Sequence, residues 1–385
     1  MRHLLCILTL VPSLFATITA CSQGNADRDS NAPQYTQEEL ALRKDIGEML
    51  IVGFRGTSID SRNHIARDIQ DYHIGGVILF EYDAPSGRRP RNITSFRQLK
   101  RLCHHLQRLS DEPLFISIDQ EGGKVNRLKE KDGFPHFASA KLTASMGLDS
   151  VRSNATRTAR TLHAAGINLN FAPCVDVDVN PDCPVIGKLE RSFSSNPVKV
   201  TRCAEVWIEE QNKNHVISCL KHFPGHGSSD KDTHTGLVDV SQSWQRQELA
   251  PYKNLIAKGR VDMIMTTHVF NSQLDSVWPA TLSQLTLTGL LRDSLGFEGV
   301  VVTDDLAMGA MMKQFEYPDV LLNAINAGAD MLCLSNNGQM YNPEVVPQTV
   351  DIIFLLVKEG KVKASRIRQA AHRIRELKKK LEHGL

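Results

Sequence analysis

The sequence predicts an α/β fold, a single (β/α)8 barrel of the TIM type, and three observations carry that expectation. Eight short apolar runs, rich in β-branched residues, recur along the chain, with segments of helical length between them. Most runs are continuously apolar, as parallel strands buried on both faces require. Eight strand–helix repeats in 385 residues fit one barrel. An open doubly wound sheet is the rival architecture, but no glycine-rich dinucleotide fingerprint follows the first run.

Composition narrows the classes before any motif is read. With 41% hydrophobic and 23% charged residues, the chain is neither disordered, collagen-like nor a small disulfide scaffold. Lys and Arg number 45 against 43 Asp and Glu, a net +2. No basic excess marks a nucleic-acid binder, so none is expected as a partner.

The N-terminus reads as an export signal. Met1-Arg2-His3 is a short basic start, and residues 4–15 are an apolar run too short to cross a bilayer and interrupted by Pro12. Ile18-Thr19-Ala20-Cys21 resembles a bacterial lipobox, which implies cleavage after residue 20 and a lipid on Cys21. Removing residues 1–20, which hold Arg2 and no acidic residue, leaves a net +1. An acylated cysteine holds an otherwise soluble domain at a membrane. Residues 21–37 are polar and read as a flexible tether. Thr36-Gln37-Glu38-Glu39 is a capping-box pattern, so the barrel domain is expected over 38–385.

The runs fall at 49–54, 76–80, 114–118, 167–175, 216–220, 263–269, 300–303 and 331–334. Helices are expected between them, among others at 95–109, 150–165 and 196–213. At 365–385, Ile367, Ala370, Ala371, Ile374, Leu377 and Leu381 form one apolar stripe, the pattern of a last helix packing on the barrel. The remaining cysteines, Cys103, Cys174, Cys183, Cys203, Cys219 and Cys333, show no CxxC spacing. Export permits disulfides and Cys174–Cys183 could close a loop, but no essential framework is expected; Cys219 and Cys333 read as small core hydrophobes.

In a barrel the chemistry sits where strands end, so the residues after each run are the candidates. The third run is followed by Asp119-Gln120-Glu121-Gly122-Gly123-Lys124-Val125-Asn126-Arg127. Asp176, Asp178 and then Glu190-Arg191-Ser192-Phe193 follow the fourth. Lys221-His222-Phe223-Pro224-Gly225-His226-Gly227, Asp230, Asp232 and His234 follow the fifth, with His268 near the end of the sixth. Asp304-Asp305 and Ser335-Asn336-Asn337 close the set. Carboxylates among Lys, Arg and His donors suit a hydroxyl-rich neutral substrate whose transition state gains positive charge. Asp304 could attack an anomeric carbon, while Asp232-Thr233-His234, read as an extended loop, puts a carboxylate beside an imidazole. An imidazole's ordinary pKa of about 6.5 suits proton transfer near neutrality. His222, His226, Asp230, Asp232 and His234 also raise a metal reading, but Phe223-Pro224-Gly225 breaks the helix that an HxxxH pair needs. No metal or cofactor is expected.

These residues resemble the bacterial β-N-acetylhexosaminidases of glycoside hydrolase family 3, in their single-barrel type, over most of the chain from Val52-Gly53-Phe54 to the eighth run. Lys221-His222-Phe223-Pro224-Gly225-His226-Gly227 followed by Asp232-Thr233-His234 is the strongest match. Asp119-Gln120-Glu121-Gly122-Gly123 and Thr303-Asp304-Asp305-Leu306-Ala307-Met308 support it. The resemblance implies that Asp304 is the nucleophile and His234 the acid/base, with Asp232 as its partner. Asp119, Arg127, Arg191, Lys221 and His222 would bind N-acetylglucosamine. The implied reaction is retaining removal of terminal, non-reducing β-N-acetylglucosamine from peptidoglycan-derived fragments. Lys124, Asn126, Leu189 and Thr303 depart from the family's usual residues, and Leu189 bears on substrate preference. No second sandwich domain follows the barrel, which favours the hexosaminidase over the β-glucosidase reading.

Two other readings stay open at this point: another retaining β-glycosidase, and a non-catalytic glycan-binding lipoprotein. The expected setting is export and lipid anchoring at a bacterial membrane, with a glycan or muropeptide as the partner and a monomer as the default.

Overall fold

The computed structural model of the chain describes residues 35–60 and 63–382. The predicted signal, Cys21 and the tether up to residue 34 lie outside the described residues.

Eight strands form the sheet: β1 (Leu50–Gly53), β2 (Gly76–Leu79), β3 (Phe115–Ile118), β4 (Leu169–Asn170), β5 (Ile217–Phe223), β6 (Met263–Thr266), β7 (Val300–Val302) and β8 (Leu332–Leu334). Each lies inside one predicted run, except that β5 continues three residues past its run. All are buried and parallel to their neighbours, and β8 returns to pair with β1, Leu50 opposite Leu332. A parallel bridge between Val302 and Met331 joins β7 to β8 and completes the ring. The predicted barrel is therefore the fold observed.

β4 is shorter than its run because Pro173 has no N–H to give the ladder. Asparagine side chains add bonds between β4 and the β3 segment: Asn168 Nδ2 donates to Leu114 O at 2.9 Å and Asn170 Nδ2 to Gln120 O at 3.0 Å, while their Oδ1 atoms accept from Ile116 and Gln120 N–H at 2.8 and 3.0 Å.

The helices between strands start and stop on local signals. Ser95 caps Phe96–Arg108, and Asn196 caps Pro197–Asn212. Gly166, at φ 84°, ends Leu148–Ala165. The last helix, Ala364–Glu382, buries the whole predicted stripe from Ile367 to Leu381 against the barrel. No helix among the described residues is long and apolar enough to cross a membrane.

A small parallel ribbon pairs Val238–Asp239 with Val269–Phe270 beside the catalytic-end loops. Val238, Val240, Trp244 and Val269 form an apolar cluster under it and fix the far end of the long loop after β5. All six cysteines among the described residues are buried and unbonded. The Cys174 thiol faces Asp176 and the Cys183 thiol faces Ser229, so the pairing that their spacing allowed is not formed.

Candidate active site

At the C-terminal ends of the strands a cavity of about 620 Å³ opens. Asp119, Arg127, Arg191, Lys221, His222, Asp232, His234 and Asp304 all line it, although they come from four different strand ends.

Lys221 and His222 are consecutive, and a regular strand would send them to opposite faces. The pairing of β5 with β6 shifts register between Leu220 and Phe223, which lets both side chains line the cavity. Lys221 Nζ lies 2.7 Å from Asp119 Oδ1 and 2.7 Å from Glu121 Oε1. Arg191 grips Glu121 with two hydrogen bonds, of 2.9 and 2.8 Å. Arg191 Nη2 also donates to His222 Nε2 at 3.2 Å, which leaves the ring proton on Nδ1. There Asp176 accepts it at 2.6 Å.

Burial alone would raise Asp119 and Glu121. The Lys221 and Arg127 charges outweigh it for Asp119, and Arg191 with Lys221 brings Glu121 down to about 2. Burial disfavours the Lys221 cation, but Asp119 and Glu121 overcome that and raise it. The result is a fixed array of paired charges, each holding its neighbours ionised.

Arg127 reaches the same wall because the chain after β3 reverses at Gly122 and Gly123. Gly122 sits at φ 98°, and a Cβ there would lie 2.2 Å from the Ala138 carbonyl oxygen. Buried Gln120 then fixes the returning strand, its Oε1 accepting from the N–H groups of Arg127 and Leu128 at 3.0 and 3.1 Å. Arg127 Nη2 stands 3.5 Å from Asp119 Oδ2, while its buried Nε has no hydrogen-bond partner among the described residues. That Nε faces the buried carboxylate of Glu81, whose Oε2 lies 3.9 Å away.

Two adjacent aspartates follow β7 and differ in their engagement. Asp305 accepts from the N–H groups of Ser335 at 3.0 Å and Ala307 at 3.2 Å, and from the Ser335 hydroxyl. Asp304 accepts only the Asp305 N–H, at 2.8 Å, among the described residues. Burial raises both groups. For Asp304 the imidazoles of His268, His222 and His234 reverse the direction and keep it below the ordinary carboxylate range, whereas Asp305 stays above it. Asp304 is thus the ionised carboxylate with free lone pairs.

The Asp232–His234 segment is a tight turn, not the extended loop expected. The Asp232 carboxylate accepts from the His234 N–H at 2.8 Å and faces its Nδ1 at 2.7 Å, and the Asp232 carbonyl closes the turn with Thr235 N–H at 3.0 Å. An Asx-type turn places residues i and i+2 together as well as a strand does. The His234 side chain is 68% exposed. Its backbone rests on the short helix Gly309–Met312 that follows Asp304. A Cβ on Gly309 would lie 2.6 Å from the His234 carbonyl oxygen, so glycine permits the contact. Ala310 N–H donates to Thr233 O at 3.1 Å and Lys313 Nζ to Thr235 O at 2.9 Å.

Among the described residues, Cys174, Asp176 and His222 are close enough to share a metal ion. The donor set fits one poorly. The thiol and Nδ1 both donate to Asp176, and burial pushes the Cys174 thiol well above its ordinary pKa. The histidines of the HxxxH string face other partners: His226 lies between Ser229 at 2.8 Å and Thr233 at 3.2 Å.

Asp176, Glu121 and Gln120 follow the strand runs in the sequence, which assigns them no task. Asp176 is wholly buried and also accepts the N–H of His226 at 2.8 Å, so it organises the entire turn after β5. Its place after the fourth run was the available signal; its partner, 46 residues on, was not.

Residues 41–377 match the family described as Glycosyl hydrolase family 3 N terminal domain. Beta-hexosaminidase A of Pseudoalteromonas piscicida is 37% identical over 285 residues, covering 68% of this chain and 46% of that protein. The chain thus spans about half the length of that relative. Beta-hexosaminidase of Tolumonas auensis is 35% identical over 270 residues, 69% of this chain and 76% of that one. The structure of a glycoside hydrolase family 3 β-N-acetylglucosaminidase from Paenibacillus sp. str. FPU-7 superposes with a TM-score of 0.80 at 32% identity, covering 89% of this chain and 62% of that one. Matched across most of its barrel, the chain belongs to glycosyl hydrolase family 3.

Proposed function

We propose that this glycoside hydrolase is a retaining exo-β-N-acetylglucosaminidase acting on peptidoglycan-derived fragments. One observation carries the reading: Asp304, an ionised carboxylate with free lone pairs, shares a cavity with the Asp232–His234 pair and with a fixed array of charged donors and acceptors. Hexosaminidase relatives support the sugar assigned to it.

In the first step an Asp304 oxygen attacks the anomeric carbon while protonated His234 gives its proton to the departing glycosidic oxygen. The C–O bond breaks and a glycosyl ester forms. Asp232, held against Nδ1, orients the imidazole and stabilises its cation. In the second step His234 takes a proton from water, whose oxygen attacks the same carbon and frees Asp304. Two inversions retain the β configuration. Asp119, Arg127, Arg191, Lys221 and His222, which all line the cavity, hold the sugar's hydroxyl and acetamido groups.

We also propose export and lipid anchoring through Cys21, which brings the barrel to wall glycans outside the inner membrane as a monomer. Turnover of GlcNAc-anhydro-muramic acid, chitobiose and aryl β-glucosides tests the substrate reading. Preference for the first supports it, and preference for the glucoside overturns it. Asp304→Ala should lower kcat on an aryl β-N-acetylglucosaminide by on the order of 10⁴ or more. Near-native kcat in that variant removes Asp304 from the nucleophile's role.

A further inference from the structure

The helix Phe96–Arg108, on the outer wall between β2 and β3, carries a charge pattern that its own fold does not use. It buries Leu99, Leu102, Cys103 and Leu106 and exposes Arg97, Lys100, Arg101, His104, His105 and Arg108, with no acidic residue. Its four Lys and Arg side chains give it +4, so the rest of the chain, whose total is +2, is net −2. Among the described residues none of these four pairs with a carboxylate.

Isolated helix physics disfavours this arrangement. Arg97 and Lys100 stand near the positive end of the helix dipole, and the first turn has no acid to offset them. Arg97 lies three and four residues from Lys100 and Arg101, where like charges repel. The row runs from residue 97 to 108, roughly 16 Å at the helical rise. Around Phe96, with Arg97, Lys100, Arg101 and His104, it forms a groove of about 420 Å³.

We infer that this face rests on a bilayer surface bearing anionic phospholipid headgroups. A row of point charges over this length, with no carboxylate to orient a ligand, responds to charge density more than to one particular anion. The half-buried Phe96 among cations is the pairing that settles at a headgroup boundary. The last helix, Ala364–Glu382, is also basic, but Arg366, Arg373, Arg375, Lys378 and Lys380 pair there with carboxylates, whereas among the described residues the cations of Phe96–Arg108 do not. This surface stands apart from the catalytic cavity and does not depend on an anchor at Cys21.

Partition of the full-length chain between buffer and vesicles tests it, using phosphatidylcholine with and without phosphatidylglycerol. The readout is the increment caused by the anionic lipid, which subtracts any contribution from an acyl anchor. Arg97→Glu/Lys100→Glu/Arg101→Glu should lose the increment, and the triple Gln variant should reduce it by up to roughly fivefold per cation removed. High salt should abolish it in the native chain. Aryl glycoside turnover should be unchanged in both variants. Equal increments in native and variant chains overturn the inference. So does loss of binding to a soluble anionic glycan with the vesicle increment unaltered, which gives the face to a polymer instead.

Discussion

Residues 221–229 and 230–237 are consecutive in one loop-forming string, yet their environments are opposite. From Lys221 to Ser229 every residue is buried, whereas Asp230, Lys231, His234, Thr235 and Leu237 are exposed. The first half is held by charge pairs that reach β3 and by Asp176; the second is held by backbone contacts to the Gly309–Met312 helix. The difference separates two tasks. Recognition of a sugar needs donors and acceptors held in fixed positions in a low dielectric. A group that passes protons to a leaving oxygen and takes them from water must reach solvent.

Perturbing the buried half should have the larger effect on the fold. Asp176→Asn sets an amide against the Nδ1–H of His222 and the thiol of Cys174, leaving buried donors without an acceptor. We expect a stability loss of about 1–3 kcal/mol in urea titration, together with a raised KM, because His222 loses its fixed position. Unchanged stability and KM would show that this turn does not depend on Asp176.

Perturbing the exposed half should leave stability nearly intact. Gly309→Ala forces the His234 backbone outward, since the new Cβ meets its carbonyl oxygen at 2.6 Å. With a poor leaving group kcat should fall by roughly 10-fold, a fraction of the 10²–10⁴ that a general acid supplies. With an activated leaving group it should fall little, and Tm should stay within a few degrees. A loss confined to Tm would separate Gly309 from proton transfer.

The smallest effect concerns the junction. Buried Glu248 packs against Gly225, and burial lifts its carboxyl to about 7 even though Oε1 accepts the Gln245 N–H at 3.1 Å. The unfolded chain releases this proton above its ordinary 4.5, while the folded chain keeps it until about 7. The associated stability is therefore complete below pH 4.5 and is lost as pH rises through 7. Glu248→Gln cannot ionise, so its Tm relative to the native chain should rise between pH 4 and pH 8. A difference independent of pH contradicts the assignment.

Much of this was legible in the sequence because it is written locally. The eight runs marked all eight strands since strands between an outer helical ring and a packed barrel interior are apolar on both faces. The stripe from Ile367 to Leu381 marked the last helix for the same reason. The eight candidate cavity residues were legible because barrel chemistry follows strand ends. What was not legible depends on distant partners or on backbone shape. Asp176 meets His222 only after β4 and β5 pair, and Gly309 meets His234 only when two loops dock. The turn at Asp232 cannot be told from an extended loop in the sequence, since both conformations bring i and i+2 together. The short ladder at β4 reflects Pro173, whose missing N–H was visible but outweighed by the apolar run around it.

On the proposed function, the exposed half of the string transfers protons and the buried half does not. His234→Ala tests it most directly, with kcat/KM measured on two aryl β-N-acetylglucosaminides that differ in leaving-group acidity. We expect a loss of about 10²–10⁴ with the poor leaving group and a much smaller one with the activated group. Equal losses on both substrates would contradict it.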